Sequence, residues 1–463
     1  MIGKTDCPSR PRILYSVIFA WLAICGGRFI APFLEHEADF SDTLIGFAVA
    51  MQIGITSILG TVGGSWADVM ERKYPNQGRS YVIISGVVGG SVFFLMHGTW
   101  RLFPGVPFFQ STLWHMTLRF LYATSVSVVS PVLDGLTLAR LEREPNKDKS
   151  DYGEERLHGA IWWGVTNLVM GPFIDWLGFP ALYMFAALAT LASIVVMQIY
   201  VRGQMQDASQ RTDSNNETKS EDDEHRLPIW SLLQIIFGTV AASAFIFSYF
   251  CLSSGFSVVE NLVFLYFESL GGSNSLDGLT VALTVIFEIP IFYLAPTLLR
   301  KFGPFVLLQI ANAAYVTRVI GYTLIPTGSV YFVLLLEPLH GVIYGCSQTG
   351  AVEFVSKLMP LGYEASGQGI LYLFRGLGGI SGVSLGGFLQ EQLGARVMYG
   401  TFAAIVAAGA LVFALASTLR GTSAERRSLL EGVRLEPLTP NSQVRMMQQS
   451  GEKEQSDYGS TQL

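Results

Sequence analysis

Apolar residues in this chain fall in long unbroken runs. Twelve can be marked: 12–34, 43–67, 80–98, 108–138, 155–177, 180–201, 240–267, 276–300, 304–325, 329–357, 365–390 and 395–419. A run of about 20 such residues reads as a transmembrane helix. Backbone N–H and C=O groups find partners in lipid only within a helix or a closed barrel. Barrel strands alternate in polarity, and these runs do not. The pattern predicts an all-α polytopic membrane protein. Gly- and Pro-rich turns separate the runs, as at Pro75-Asn76, Gly178-Phe179-Pro180, Gly271-Gly272 and Pro326-Thr327-Gly328.

Composition agrees. Half of the 463 residues are apolar and only 14% are charged, where a soluble chain carries about a quarter. Mean hydropathy is +0.41. The net charge of −6 reflects acidic residues in the central polar segment and the tail, which argues against a nucleic-acid partner. Cys7, Cys25, Cys251 and Cys346 show no paired spacing, so neither a disulfide framework nor a metal site is expected. No cofactor is expected either. The first apolar run begins after Arg12 and is as long as a full span, unlike a cleaved signal peptide.

Basic residues set the expected orientation. With the N-terminus inside, cytoplasmic segments hold Arg72, Lys73, Arg79, Arg140, Arg143, Lys147, Lys149, Arg202, Arg300, Lys301 and Lys357. The outer loops hold Arg101 and Arg396, and the first of them is acidic: Glu35, Glu37, Asp39, Asp42. Both termini are therefore expected in the cytoplasm. The expected organisation is a short N-terminus (1–11), six spans (12–201), a polar linker (202–239), six spans (240–419) and a polar tail (420–463). An interfacial helix is expected at 229–239, because 229–267 is too long for one span. The sequon Asn216-Glu217-Thr218 falls in the linker, on the side where glycosylation does not occur.

Six spans, a linker and six spans are similar to the major facilitator superfamily. Between spans 2 and 3, Gly64-Ser65-Trp66-Ala67-Asp68 with Arg72-Lys73 and Arg79 resembles that superfamily's loop signature, although Val69 stands where a basic residue is usual. Tyr152-Gly153-Glu154-Glu155-Arg156 through Gly159 resembles an element of the oligosaccharide and nucleoside proton symporters. Glu260-Asn261, Gly271-Gly272-Ser273, Glu288-Ile289-Pro290, Glu337-Pro338-Leu339-His340-Gly341, Gln368-Gly369 and Gly376-Leu377-Gly378 resemble the branch of major facilitator superfamily domain-containing protein 6. The resemblance covers nearly all of 12–420. It implies two six-helix bundles around a central cavity that rock about a mid-membrane site, working as a monomer. It names no solute.

Ionisable residues inside the runs are costly and seldom face lipid. Arg318, Glu337 and Glu260 each lie about eight residues from an expected outer helix end, roughly 12 Å deep at the rise of a helix. His340 is one turn deeper, on the same face as Glu337 at i+3. Two carboxylates, a guanidinium and an imidazole in one layer suit proton coupling, since imidazole titrates near neutral pH. A fixed ion-pair network pinning the helices is the competing reading. Glu288, just before Pro290, joins the coupling candidates or serves a hinge. In the first half Arg28, after Gly26-Gly27, and Arg119 are the intramembrane charges. Each would contact an anionic or hydroxyl-rich solute, or form a salt bridge to Glu260 or Glu337. Trp163 is a candidate for stacking on a sugar ring or base, against a plain packing role. Asp68, Asp134, Arg140 and Arg156 near the expected inner face, and Arg375 on span 11, are candidate gate charges.

Three function classes follow. The leading expectation is a proton-coupled symporter of a small polar organic solute, sugar or nucleoside ahead of others, whose partners are the solute, protons and the lipid bilayer. The second is a non-transporting receptor or scaffold on the same fold. The third, an enzyme using Glu337 and His340 around a metal or as base and acid, lacks further ligands at that depth. Glu425-Arg426-Arg427-Ser428-Leu429-Leu430 fits an acidic dileucine sorting pattern, which leaves the plasma membrane and an endosomal or vacuolar membrane both open.

Overall fold

A computed structural model describes residues 11–102, 105, 107–143, 152–210, 229–359 and 363–419. The first ten residues with Cys7, Lys147 and Lys149, the linker around Asn216, and the tail with its dileucine pattern lie outside the described residues.

The described chain is helical. Its helices are α1 (Pro11–Gly26), α2 (Ile30–Ala38), α3 (Asp42–Lys73), α4 (Gly78–Met96), α5 (Phe108–Val126), α6 (Val129–Arg143), α7 (Tyr152–Leu177), α8 (Ala181–Gln210), α9 (Ile229–Ile236), α10 (Val240–Ser269), α11 (Asn274–Leu324), α12 (Pro338–Leu358), α13 (Glu364–Leu393) and α14 (Ala395–Leu419). Among the described residues, nine helical stretches are long and apolar enough to cross a membrane, by length and composition. The chain is thus an all-α polytopic membrane protein.

The difference between nine stretches and twelve expected runs has physical causes. α11 counts once, yet its 51 residues would reach roughly 76 Å at 1.5 Å per residue, against a bilayer core of about 30 Å. Gly303, with φ at 73°, interrupts the helix just before Pro304. That is where the expected runs 276–300 and 304–325 meet. α7 and α13 are helical across their expected runs but less apolar. Trp162, Trp163 and Asn167 dilute the first; Arg375 and the glycines from Gly376 to Gly387 dilute the second.

Two helix interruptions place chemistry in the interior. α1 stops at Gly26 and α2 restarts at Ile30, leaving Arg28 in a buried turn. The run expected to be one helix from 329 begins instead as a 3-10 turn, Val330–Leu335, and α12 starts only at Pro338. Proline lacks an N–H and is at home in the first helical position. Glu337 is therefore the N-cap residue of α12, beside the positive end of the helix dipole.

The first and second halves of the chain meet where α3 packs along α13 and α7 along α11. Glycine permits both crossings. A Cβ on Gly46 would sit 2.6 Å from the Val383 carbonyl oxygen, and one on Gly387 would sit 2.3 Å from that of Asp42. Gly278 and Gly171 approach the Asn167 and Asn274 carbonyl oxygens in the same way, at 2.3 and 2.2 Å. Close backbone approach at small residues is the usual basis of helix packing in lipid. Polar bonds between the halves gather at the same end. Glu391 accepts from the Thr43 N–H at 2.9 Å, Asp175 accepts from the Asn274 and Ser275 N–H groups at 2.9 Å, and His36 pairs with Glu268 at 2.8 Å. At the opposite end, Asp68 pairs with Arg79 at 2.9 Å and Tyr15 donates to Asp134 at 2.6 Å, both within the first half.

Candidate functional site

One chain of polar contacts crosses the interior between the halves. It begins at Arg28, whose guanidinium forms a two-pronged ion pair with Glu260 on α10; the Nε–Oε2 leg is 3.3 Å. Glu260 Oε1 lies 3.3 Å from His340 Nδ1 on α12. The same Nδ1 lies 3.0 Å from Arg318 Nη1 on α11. Arg318 donates through Nη2 to Glu337 at 2.6 Å, and Tyr322 donates its hydroxyl to the other Glu337 oxygen at 2.5 Å. Tyr322 follows Arg318 by one helical turn, so its ring also lies under the guanidinium, 5.5 Å from it.

His340 has two competing roles in this chain. A guanidinium nitrogen only donates. Facing Arg318, Nδ1 must accept, which puts the ring proton on Nε2 and leaves the imidazole neutral. Facing Glu260, Nδ1 must carry a proton, which then opposes the Arg318 N–H. A proton on Nδ1, whether moved from Nε2 or newly added, therefore changes which neighbour His340 holds. Burial differs along the chain: the Glu337 side chain is 0% exposed, whereas that of Glu260 is 26% exposed. Glu260 is the carboxylate that water can reach. The four charged side chains sum to zero, two guanidiniums against two carboxylates.

The other candidates are dispersed. Glu288 is half-buried on α11, and Gly341 packs on its backbone, with a Cβ there 2.7 Å from the Glu288 nitrogen. Arg119 on α5 is buried, with no acid partner among the described residues: Nη1 donates to the Cys25 carbonyl at 3.3 Å, Nη2 donates to Gln52, and the Tyr122 ring lies 4.5 Å away. Of the two salt bridges weighed for the first-half arginines, only that of Arg28 is formed. Trp163 is half-buried against the hydrophobic core. Arg140 lines a small polar recess with Glu71, Asn76 and Arg79, and Arg156 lies 6.0 Å over the Tyr152 ring. Arg375 donates to Gln348 at 3.1 Å and covers the Tyr344 ring, which stacks on Phe256. Asp68 and Asp134 hold the partners given above.

Several residues escaped the sequence reading. Tyr322 was legible, since it stands four residues after Arg318. Asp277 is buried near the start of α11, with no hydrogen-bond partner for Oδ1 among the described residues. His97 and His115 share a buried Nδ1–Nδ1 contact of 2.6 Å, and nothing in their spacing announces it.

The geometry does not suit a metal at Glu337 and His340. Both carboxylate oxygens are taken by Arg318 and Tyr322, and Nδ1 faces a guanidinium. Among the described residues, Glu35, His36 and Glu268 bring three potential ligand atoms within 4.8 Å of one another. All three are exposed, and His36 already pairs with Glu268 and stacks on Phe179.

Residues 10–401 match the model of the MFS_1 like family. A maltose permease of Geobacillus stearothermophilus is 23% identical over 420 residues, 90% of this chain and 96% of that protein. Among solved structures, the nucleoside transporter NupG superposes with a TM-score of 0.68 at 15% identity, covering 89% of this chain and 100% of NupG. The D-xylose-proton symporter superposes with a TM-score of 0.62 at 15% identity, covering 87% and 95%. At these identities the structures share a fold, and all three proteins are transporters rather than enzymes.

Proposed function

The chain belongs to the MFS_1 like family, and on that premise we propose that it is a proton-coupled symporter of a small polar organic solute, working by alternating access. Twelve spans in two six-helix bundles, 12–201 and 240–419, surround the transport path. Both termini face the cytoplasm, in keeping with the distribution of Arg and Lys. The end closed by Thr43–Glu391 and Asp175–Asn274 is then the outer end, and the arrangement faces inward.

The observation that carries this reading is the position of Glu260. It is the partly exposed member of an otherwise buried chain, held at once by Arg28 of the first half and His340 of the second. Separating the halves at their outer end pulls Arg28 away and leaves a carboxylate beside an imidazole. A proton taken up there neutralises Glu260 or charges His340, and the loss of Arg28's pull is offset. Proton binding and outer closure then exclude or require one another, which is what coupling demands. Arg318, Glu337 and Tyr322 hold His340 in place, and Glu288 lies within electrostatic reach of Glu260 on α11. Asp68, Asp134, Arg140, Arg156 and Arg375 serve the inner gate. A sugar or a nucleoside-like compound suits the relatives, a maltose permease and a nucleoside transporter.

The test is Glu260→Gln in proteoliposomes with an inward pH gradient. Gradient-driven accumulation is expected to vanish while exchange of solute across the membrane survives. Accumulation at the wild-type level would remove Glu260 from the coupling step. Wild-type uptake that ignores the gradient would leave a facilitator.

A further inference from the structure

The break between α1 and α2 gathers hydrogen-bond donors that have nothing to bind. Arg119 and Tyr122 reach it from α5, and Arg28 lies in the turn itself. Arg119 Nη1 donates to the Cys25 carbonyl near the end of α1, and a Cβ on Gly26 would sit 2.4 Å from the Tyr122 hydroxyl. Arg119 Nε, Tyr122 Oη and Arg28 Nη1 are all buried, and none has a hydrogen-bond partner among the described residues. Arg119 is 0% exposed and Arg28 is 5% exposed. Arg28's charge is met by Glu260. Among the described residues no acid meets that of Arg119: its side-chain partner is the neutral amide of Gln52, on the half-buried face of α3.

Buried cations are ordinarily paired with an acid. A buried guanidinium facing only an amide, a carbonyl and a ring, beside other unused donors, is arranged for an acceptor that arrives from outside. Broken helices at mid-membrane are also where transporters of several folds place their ligands. We propose that the transported solute carries an anionic oxygen group, a carboxylate or a phosphate ester, and that this group binds Arg119 at the α1–α2 break by displacing Gln52. The inference rests on the transport reading and narrows it: a sugar acid or nucleotide-like compound is taken in preference to its neutral parent. In the second half Arg318 is already neutralised by Glu337, and Arg375, which also faces an amide and a ring, is only half-buried, so the fully desolvated cation that faces no acid is Arg119.

The test offers wild-type proteoliposomes, under an inward pH gradient, a metabolite extract from uniformly 13C-labelled cells supplemented with glucose and glucuronate. Mass spectrometry then identifies what accumulates. The expected result is a carboxylate or phosphate compound, and the mass tells which. Accumulation of a neutral compound alone would overturn the inference and leave transport standing. Accumulation of nothing would overturn the transport reading and the inference with it. The site is tested by Gln52→Glu, which places an acid beside Arg119 at nearly the same volume. This variant should be at least as heat-stable as wild type and should raise KM for the accumulated anion by tenfold or more. Arg119→Gln should do the same, with partial recovery in Arg119→Lys. Unchanged KM in folded Gln52→Glu would show that the anion binds elsewhere and would overturn the assignment.

Discussion

Arg119 and Arg318 are two buried guanidiniums in very different settings. Each lies mid-helix, fully covered, over a tyrosine one turn along: Tyr122 at 4.5 Å and Tyr322 at 5.5 Å. Each also leaves its Nε unbonded. The difference is the counter-charge. Arg318 has Glu337 at 2.6 Å, itself tied by Tyr322, whereas Arg119 has Gln52. Burial therefore does not by itself identify a working charge. A buried arginine with its acid is a strut that the protein completes alone. A buried arginine without one among the described residues, as Arg119 is, fits the proposed acceptor from outside.

The largest expected effect tests that contrast directly. Glu337→Ala leaves Arg318 as an uncompensated buried charge, and breaking a buried pair in this way costs about 3–5 kcal/mol. Arg119→Gln removes a charge that had no counter-charge. It forfeits the bonds to the Cys25 carbonyl and to Gln52, about 1.5–3 kcal/mol each for a charged donor, and relieves a desolvated cation in exchange. Thermal unfolding in detergent should place Glu337→Ala far below wild type and Arg119→Gln close to it. Equal losses in both variants would erase the distinction between strut and site.

A smaller effect concerns the frame that brings the halves together. Gly278 packs against the Asn167 carbonyl at a distance that leaves no room for a side chain. Gly278→Leu should wedge the closed end apart and shift the population toward the state open on that side. A tenfold shift corresponds to about 1.4 kcal/mol. A single cysteine in place of Asn274, at the closed end, reports the change as faster labelling by a membrane-impermeant thiol reagent. Labelling at the rate seen without Gly278→Leu would mean that α7 and α11 do not form the closing contact.

The sequence made one side of the contrast far more legible than the other. Arg318, Glu337 and Glu260 stand at like distances from their expected helix ends, with His340 one turn deeper, a relation that counting residues can recover because helical rise is constant. All four lie in one connected chain of contacts. Arg28 was legible as a charge, and its two possible partners were legible too, but the choice of Glu260 depends on how two distant helices pack. Arg119 poses a harder problem. A missing counter-ion is a fact about every neighbour at once, and no spacing rule carries it. The interruption before Pro338 was written in the sequence, since proline favours a helix start, yet the apolar run continues through it and conceals the break. The contact between His97 and His115 depends on the path of the 97–102 turn, which hydropathy does not describe.

The smallest expected effect marks the outer limit of the comparison. Asp68 and Arg79 form an ion pair at 2.9 Å, but the Asp68 side chain is 58% exposed. Surface pairs of this kind contribute roughly 0–1 kcal/mol, so Asp68→Asn should hardly move the unfolding midpoint. Its consequence, if Asp68 belongs to the inner gate, lies in the balance between conformations and not in stability. Arg79 also donates to the Gly135 carbonyl at 3.3 Å on α6, so losing Asp68 loosens the junction of α3, α4 and α6 without unfolding it. Transport by Asp68→Asn should fall several-fold with the midpoint unchanged. A parallel fall in both would make Asp68 a residue that acts first through stability. An unchanged rate would leave the gate to Asp134, Arg140 and Arg156.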